Sequence, residues 1–114
     1  MILVKNRKLG FDPVIRQAIE KILATNGKIK LSSLARELHI HVRTLERRFR
    51  EETALQPKQF ARIIQFQSSL IQMSINDYKK LADVVYENGY ADQSHFIRVF
   101  KSFTGKTPRT FAKK

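Results

Sequence analysis

The chain has 114 residues, with 22 lysines and arginines against 10 acidic residues and a formal net charge of +12 at pH 7. Its hydrophobic content of 42% is enough to fold one domain or two small lobes, and no apolar run reaches the roughly 18 residues of a membrane span. The absence of cysteine excludes a disulfide scaffold, a thiolate zinc site and a cysteine nucleophile. So large a basic excess favours nucleic acid as the partner over a membrane surface or an acidic protein.

Helix signals follow one another along the chain, and no segment alternates apolar and polar residues as a strand would. Asp12 and Pro13 cap and open a first helix, which Gly27 ends. Asp77 is the expected cap of a fifth helix. Further helices are predicted at residues 31–38, 42–52, 57–73, 78–88, 92–103 and 108–112. The sequence therefore predicts an all-α fold of about seven helices.

An internal repeat runs through these helices. The paired residues are Leu31/Leu81, Leu34/Val84 and Ala35/Val85, then Leu45/Phe96, Arg47/Arg98, Phe49/Phe100, Thr53/Thr104, Pro57/Pro108 and Phe60/Phe111. Each copy reads helix, short turn, helix, which is the helix-turn-helix arrangement. We therefore expect one helix-turn-helix lobe at residues 12–56 and another at 75–114, joined by a long linker helix at 57–74. Residues 1–11 form an N-terminal extension or linker.

The positive charge is concentrated in two blocks. Residues 41–62 hold six basic and three acidic residues, and residues 93–114 hold six basic residues and no acidic one. Residues 63–92, between them, hold two basic and four acidic residues. Each basic block contains the second helix of one copy. Two generic amphipathic helix pairs would not need this charge, so the pattern favours two contact surfaces.

The second helix of the first copy turns Leu45 and Phe49 inward. Its outward stripe consists of Arg43, Glu46, Arg47 and Arg50. Arginine binds guanine O6 and N7 together and also binds phosphate. Glu46 either accepts a hydrogen bond from a cytosine amino group or forms a salt bridge with Arg43 or Arg50. Arg50, and Arg62 of the linker helix, are expected to contact phosphate.

The second helix of the second copy presents a different face. Its outward residues are Gln93, Ser94, Ile97, Arg98 and Lys101. Glutamine suits adenine, serine suits several base edges, and Ile97 suits a thymine methyl group. Lys101, Lys106 and Arg109 lie further along and are expected to contact phosphate.

The linker helix sets an expectation for spacing. About 17 residues of helix are roughly 25 Å long. With a lobe at each end, the two recognition helices are expected about 34 Å apart, one turn of DNA. A monomer would then read two successive major grooves.

The residues from Gly89 to Lys101, followed by 103–108, resemble the signature of AraC/XylS-type transcription regulators, and residues 34–35 with 43–49 resemble the first helix-turn-helix of that family. The resemblance covers about residues 12–112. It implies a DNA-binding domain with two lobes joined by a rigid helix, in a bacterial, cytoplasmic protein at the nucleoid that controls transcription, often as an activator. Matched by position, the base-reading residues of the family fall on Arg43, Glu46, Arg47, Gln93, Ser94, His95 and Arg98.

The first copy departs from the family pattern at four positions. His39 and Ala54 replace small or glycine residues at turns, although histidine tolerates a left-handed backbone better than most residues. His41 replaces the usual serine cap, which is expected to weaken that helix start by about 1 kcal/mol. Arg48 stands where an apolar residue is common, and its head is expected to reach phosphate while its stem packs.

Enzymatic function is not expected, and neither a metal nor a cofactor is predicted. His39 and His41 straddle a turn without a carboxylate or cysteine at ligand spacing, and His95 is the third and last histidine. The chain lacks a glycine-rich phosphate loop. The alternative function is a non-specific nucleoid or RNA-binding basic protein, which would share the charge without needing Gln93 and Ser94.

Double-stranded DNA is the expected partner. A contact with RNA polymerase is compatible with DNA binding, and no residue decides it. Members of the family commonly carry a separate sensor or dimerisation domain, for which this chain has no room. The sequence is therefore interpreted as a stand-alone small regulator or, preferably, as the excised C-terminal domain of a longer protein. Whether it activates or represses stays open.

Overall fold

A computed structural model describes residues 11–75 and 78–112. Within these residues the secondary structure is seven helices and no strand: α1 (Pro13–Ala24), α2 (Leu31–Glu37), α3 (Val42–Thr53), α4 (Pro57–Ser74), α5 (Leu81–Glu87), α6 (Gln93–Thr104) and α7 (Pro108–Ala112). The expected all-α fold is confirmed. The expected cap Asp77 lies outside the described residues. No helix in this part of the chain combines the length and hydropathy needed to cross a bilayer.

Helix α5 is shorter than the segment 78–88 expected from the sequence. The Asp83 carboxylate accepts hydrogen bonds from the backbone N–H groups of Lys80 (3.0 Å) and Lys79 (3.3 Å). Because these groups precede the first helical turn, their capture by a side chain fixes the start of the helix at Leu81.

The chain divides into two compact units, of which the first ends at Ile64 and the second begins at Gln65. The buried core of the first unit consists of Ile15, Ala18 and Ile22 of α1, Leu34, Ala35 and Leu38 in or beside α2, and Leu45 and Phe49 of α3. Phe60, in the first half of α4, packs on this core with its ring 5.8 Å from that of Phe49. Full burial of each large apolar side chain contributes roughly 1.5–3 kcal/mol.

The core of the second unit is more aromatic. Its buried residues are Phe66, Met73, Val84, Val85, Tyr90, Phe96 and Phe100. Phe100 lies at the centre, with ring-centroid distances of 5.4 Å to Phe66, 5.7 Å to Phe96 and 5.5 Å to Phe111. These edge-on ring pairs tie α4, α6 and α7 together.

The internal repeat extends further than the sequence comparison indicated. The second half of α4 corresponds to α1, because three buried pairs recur 51 residues apart: Ile15/Phe66, Ala18/Ser69 and Ile22/Met73. The first half of α4 corresponds to α7 through Pro57/Pro108 and Phe60/Phe111. Helix α4 therefore closes the first unit and also takes the place of α1 in the second.

The two turns within the motifs share one backbone conformation. His39 follows α2 with φ 59°, and its counterpart Gly89 follows α5 with φ 78°. The backbone N–H two residues after each helix cap closes a matching hydrogen bond, from Ile40 to Ala35 O and from Tyr90 to Val85 O, both 3.1 Å. His39 thus adopts the left-handed conformation that the motif requires, as expected.

Candidate nucleic-acid interface

The helices α3 and α6, which the sequence predicts as recognition helices, both begin with a side-chain cap. At α3, Nδ1 of His41 accepts a hydrogen bond from the Arg43 N–H at 3.2 Å. At α6, Oδ1 of Asp92 accepts one from the His95 N–H at 2.8 Å. The ring nitrogen of His41 thus takes the place of a serine oxygen, and the expected weakening of this helix start by about 1 kcal/mol stays a prediction.

Helix α3 turns one charged stripe to the solvent. Arg43, Arg47 and Arg50 are exposed and Glu46 is half-buried, on the side opposite Leu45 and Phe49. The periodicity of the sequence therefore brings the four predicted residues of this helix to one face. Long arginine side chains on one face can reach both base edges and phosphates.

The acidic partner of this stripe is Glu51, which is not one of its four residues. Nη1 of Arg47 lies 3.5 Å from Oε1 of Glu51, a long contact between two exposed side chains that contributes little. Among the described residues Glu46 forms no ion pair. Its carboxylate is therefore free to accept a hydrogen bond from a ligand.

Arg48 points away from the stripe and binds Asp12. Its Nε donates to Oδ2 of Asp12 at 2.9 Å and its Nη2 to Oδ1 at 2.7 Å. The expectation that the head of Arg48 reaches phosphate was wrong, because the carboxylate already occupies the guanidinium fork. Asp12 also caps α1 by accepting the Val14 N–H at 2.9 Å, and its own N–H donates to Oε1 of Glu52 at 2.8 Å.

The ionisation of this pair follows from the geometry. Burial would raise the pKa of Asp12, but the hydrogen bonds from Arg48 and Val14 N–H and the arginine charge outweigh burial and lower it. The same hydrogen bond raises the pKa of Arg48. Both groups are therefore charged at neutral pH, and the pair belongs to the frame of the first unit.

Helix α6 presents a less charged face at its start. Gln93, Ser94, Arg98 and Lys101 are exposed and Ile97 is half-buried. His95 is half-buried as well: its ring stands edge-on to that of Tyr90 at 5.6 Å, and its Nδ1 is buried without a hydrogen-bond partner in the described part of the chain. Only the other edge of this ring is available to a ligand.

An open concavity of about 330 Å³ lies beside α6. It is lined by Leu81, Gln93, Ile97, Thr107, Pro108 and Arg109. Leu81, Ile97 and Pro108 make its wall partly apolar, and the amide, hydroxyl and guanidinium groups supply hydrogen-bond donors. Such a groove next to an exposed helix suits a sugar–phosphate strand, which has both apolar and anionic parts.

The residues predicted for phosphate are all exposed: Arg50 and Arg62 in the first unit, and Lys101, Lys106 and Arg109 in the second. None forms an ion pair with a described residue. Lys58 is a candidate that the sequence reasoning missed. It is exposed in the first turn of α4, at the position that Arg109 has in α7, and the repeat itself was the signal that could have found it.

No group of three or more histidines and acidic residues in the described ranges could hold a metal ion. The two capped helices, each at the same place in its own unit, offer hydrogen bonding and charge.

A family model described as a helix-turn-helix domain matches residues 34–114. No curated protein sequence matches the chain. Among solved structures, the C-terminal domain of AraT, a response regulator from Geobacillus stearothermophilus, is similar with a TM-score of 0.81 and 19% identity, over 90% of this chain and 86% of that one. The DNA-binding domain of AdpA, a global transcriptional factor, was solved in complex with a target DNA. It is similar with a TM-score of 0.77 and 19% identity, over 86% of this chain and 88% of that one.

A third structure, the xylose-binding transcription activator xylR, gives a TM-score of 0.75 and 21% identity over 94% of this chain but only 28% of that one. At these identities the three structures show a common fold. The family match covers most of the chain and includes α3 and α6. The chain therefore belongs to the AraC-type helix-turn-helix family, whose domains are DNA-binding transcription regulators and not enzymes.

Proposed function

We propose that the chain binds DNA sequence-specifically, with α3 and α6 in successive major grooves, and that it activates transcription. The observation that carries specificity is the start of α6, where Gln93 and Ser94 are exposed and uncharged. These side chains add nothing to a general attraction for phosphate, but they match the hydrogen-bonding edges of bases in the major groove. A non-specific binder would have no use for them.

The roles divide between base edges and backbone. We assign base reading to Arg43, Glu46, Arg47, Gln93, Ser94, His95 and Arg98. Phosphate contacts are assigned to Arg50, Arg62, Lys101, Lys106 and Arg109. Capping supports the first set, because His41 and Asp92 fix the helix ends from which the early side chains project. Exposure without an ion-pair partner in the described part of the chain supports the second set.

The similar proteins support a regulatory setting. One similar domain was solved with its target DNA, and another belongs to an activator that binds xylose. By analogy we propose a bacterial regulator that acts at the nucleoid in the cytoplasm, with the two lobes and the linker helix at 12–56, 75–114 and 57–74. A contact with RNA polymerase and a sensor or dimerisation domain are further partners of this proposal.

Selection of bound sites from a random DNA pool tests the proposal. We expect a two-part motif whose centres lie about one helical turn, roughly 34 Å, apart. We also expect Gln93→Ala to weaken binding to the selected site by roughly tenfold while random DNA is bound almost as before. A pool without any enriched motif, or an equal loss on both DNAs, would instead support the non-specific nucleoid or RNA-binding alternative.

A further inference from the structure

We propose that Asp12 is a positioning residue for DNA reading. Through Arg48 it sets the rotation of α3 about its own axis, and thereby the direction in which Arg43 and Arg47 project. The inference rests on the proposed function and adds a residue that does not touch DNA. It concerns the first unit alone.

The contact between Asp12 and Arg48 is directional. Nε and Nη2 of the guanidinium each donate to a different carboxylate oxygen, at 2.9 and 2.7 Å, so the planes of the two groups are fixed together. Asp12 is 3% exposed and is itself held at two further points, by the Val14 N–H and by Glu52, which is 1% exposed. The carboxylate is thus a fixed point on the α1 side of α3.

Because Arg48 lies on α3 itself, its contact with Asp12 acts directly on the rotation of α3 about its axis. Arg48 adjoins Arg47 in sequence, yet it faces Asp12 while Arg47 faces the solvent. A rotation of α3 by about 20° would move a side-chain tip roughly 6 Å from the axis by roughly 2 Å. A binding site is typically held to within about 0.5 Å, so a fork that fixes this rotation decides where the side chains of α3 project.

The second unit shows that the fold does not need this pair. The counterparts of Arg48 and Glu52, 51 residues later, are Val99 and Phe103. Phe103 stacks on Phe66 with a centroid distance of 4.5 Å and an interplanar angle of 14°. Apolar contacts thus hold the equivalent helix in place. A charged fork at the first site supplies orientation beyond what folding demands.

Arg48→Lys is the decisive variant because it keeps the charge and loses the fork. Binding is measured to three DNAs: the site that the unmodified chain selects, and two versions of it in which one half-site or the other is scrambled. We expect roughly tenfold weaker binding to the intact site, as for the loss of one good base contact. The loss is expected to disappear when the half-site read by α3 is scrambled. Arg16→Lys, on the exposed face of α1, is the matched control and is expected to bind as the unmodified chain does.

Arg48→Met separates positioning from a direct phosphate contact. If Arg48 bound phosphate, the slope of log affinity against log salt would fall by about 0.9 in this variant, whereas positioning leaves the slope unchanged. A fall in slope, an equal loss at both half-sites, or unchanged affinity with lower thermal stability would each overturn the proposal.

A measurement without DNA keeps the two proposals apart. Residual dipolar couplings of the Arg48→Lys protein are expected to show α3 reoriented relative to α1, and an unchanged orientation would overturn the positioning role by itself. If the unmodified chain selects no site, the proposed function fails, whatever these couplings show.

Discussion

The two units pack equivalent helices with opposite chemistry. Between α1 and α3, the first unit uses the buried carboxylates of Asp12 and Glu52 and the half-buried guanidinium of Arg48. At the equivalent place the second unit stacks Phe103 on Phe66. Charged groups with hydrogen bonds fix angle as well as distance, whereas ring stacking tolerates sliding. In the first unit these directional contacts therefore act on α3 itself.

The second unit places its directional contacts on α5 instead. Asn88, which ends α5, accepts from the Ser68 hydroxyl, and its side-chain amide donates to Oε1 of Gln72 and to the Val84 carbonyl, each at 2.8 Å. Nε2 of Gln65 donates to the Asn88 carbonyl at 2.7 Å. Asn88 is thereby joined to three residues of α4. Its counterpart 50 residues earlier is the apolar, buried Leu38.

A polar contact between two helices recurs in both units. In the first, Nζ of Lys21 lies 3.0 Å from Oε1 of Glu37, and in the second, Nε2 of Gln72 donates to Oε1 of Glu87 at 2.7 Å. These pairs are equivalent through the repeat. The repeated scaffold therefore fixes where two helices meet, whereas further directional contacts lie on α3 in the first unit and on α5 in the second.

The largest effect is expected from exchanging Leu38, which follows α2, with its counterpart Asn88, which follows α5. Leu38→Asn is expected to lower the free energy of unfolding by about 3 kcal/mol, since apolar burial is lost and an amide is desolvated. Asn88→Leu is expected to cost about 2 kcal/mol, because the Ser68 hydroxyl and Oε1 of Gln72 each lose the hydrogen bond to the Asn88 side chain. Urea unfolding followed by circular dichroism measures both. If either exchange leaves the free energy of unfolding unchanged, the two positions are interchangeable and the units do not differ in the packing of α2 and α5.

The sequence was sufficient for the helices and motifs because their signals are local. Apolar periodicity, Asp12-Pro13 and the glycines after helices predicted the elements, and periodicity also brought the charged residues of α3 to one face. The partner of Arg48 could not be predicted from the sequence. Asp12 lies 36 residues away, and each residue had a complete local explanation of its own, as a helix cap and as a surface charge.

Two further features depend on three-dimensional packing. The equivalence of α1 with the second half of α4 is a match of burial and not of residue type, as Ala18 and Ser69 show. The half-buried state of His95 depends on the ring of Tyr90, whose placement no local pattern specifies. Its own burial raises the pKa of Tyr90, with Ser69 acting in the opposite direction.

The contact between Asp12 and Arg48 predicts a stability that depends on pH, which the stacking of Phe103 on Phe66 does not. Asp12→Asn keeps a cap for α1 but weakens the contact with Arg48, and is expected to cost about 2 kcal/mol at pH 7. The folded pKa of Asp12 lies below its ordinary value of 3.8. A carboxyl of this kind contributes its full stability above its unfolded pKa and loses it as pH falls through the folded pKa. The difference between native chain and variant is therefore expected to shrink below about pH 4.

Urea midpoints between pH 7 and pH 2.5 measure this difference. Asp83→Asn in the second unit is the matched control, since that carboxylate caps α5 and forms no ion pair with a described residue. A gap between native chain and Asp12→Asn that stays constant down to the lowest pH would show that the Asp12 carboxylate is not the source of the stability.

The smallest expected effect compares the ends of the two recognition helices. Ala54 and Gly105 occupy the same left-handed position, with φ 66° and 77°. Only glycine adopts this conformation without steric cost, so Ala54→Gly is expected to stabilise the chain by about 0.7 kcal/mol and Gly105→Ala to destabilise it by about 1 kcal/mol. A Cβ on Gly105 would meet no atom within 4 Å, so the second change isolates backbone strain. Thermal denaturation of both variants decides whether they shift in opposite directions.

Helix α4 serves as the last helix of one copy of the repeat and the first of the next, so two four-helix arrangements are made from seven helices. This sharing makes α4 the one described element whose length is constrained from both ends. An insertion at the turn around Asn26 has a loop to absorb it. An extra residue within α4 would turn every later side chain by about 100° about the helix axis. Length variation among relatives of this chain is therefore expected in its turns and absent from α4.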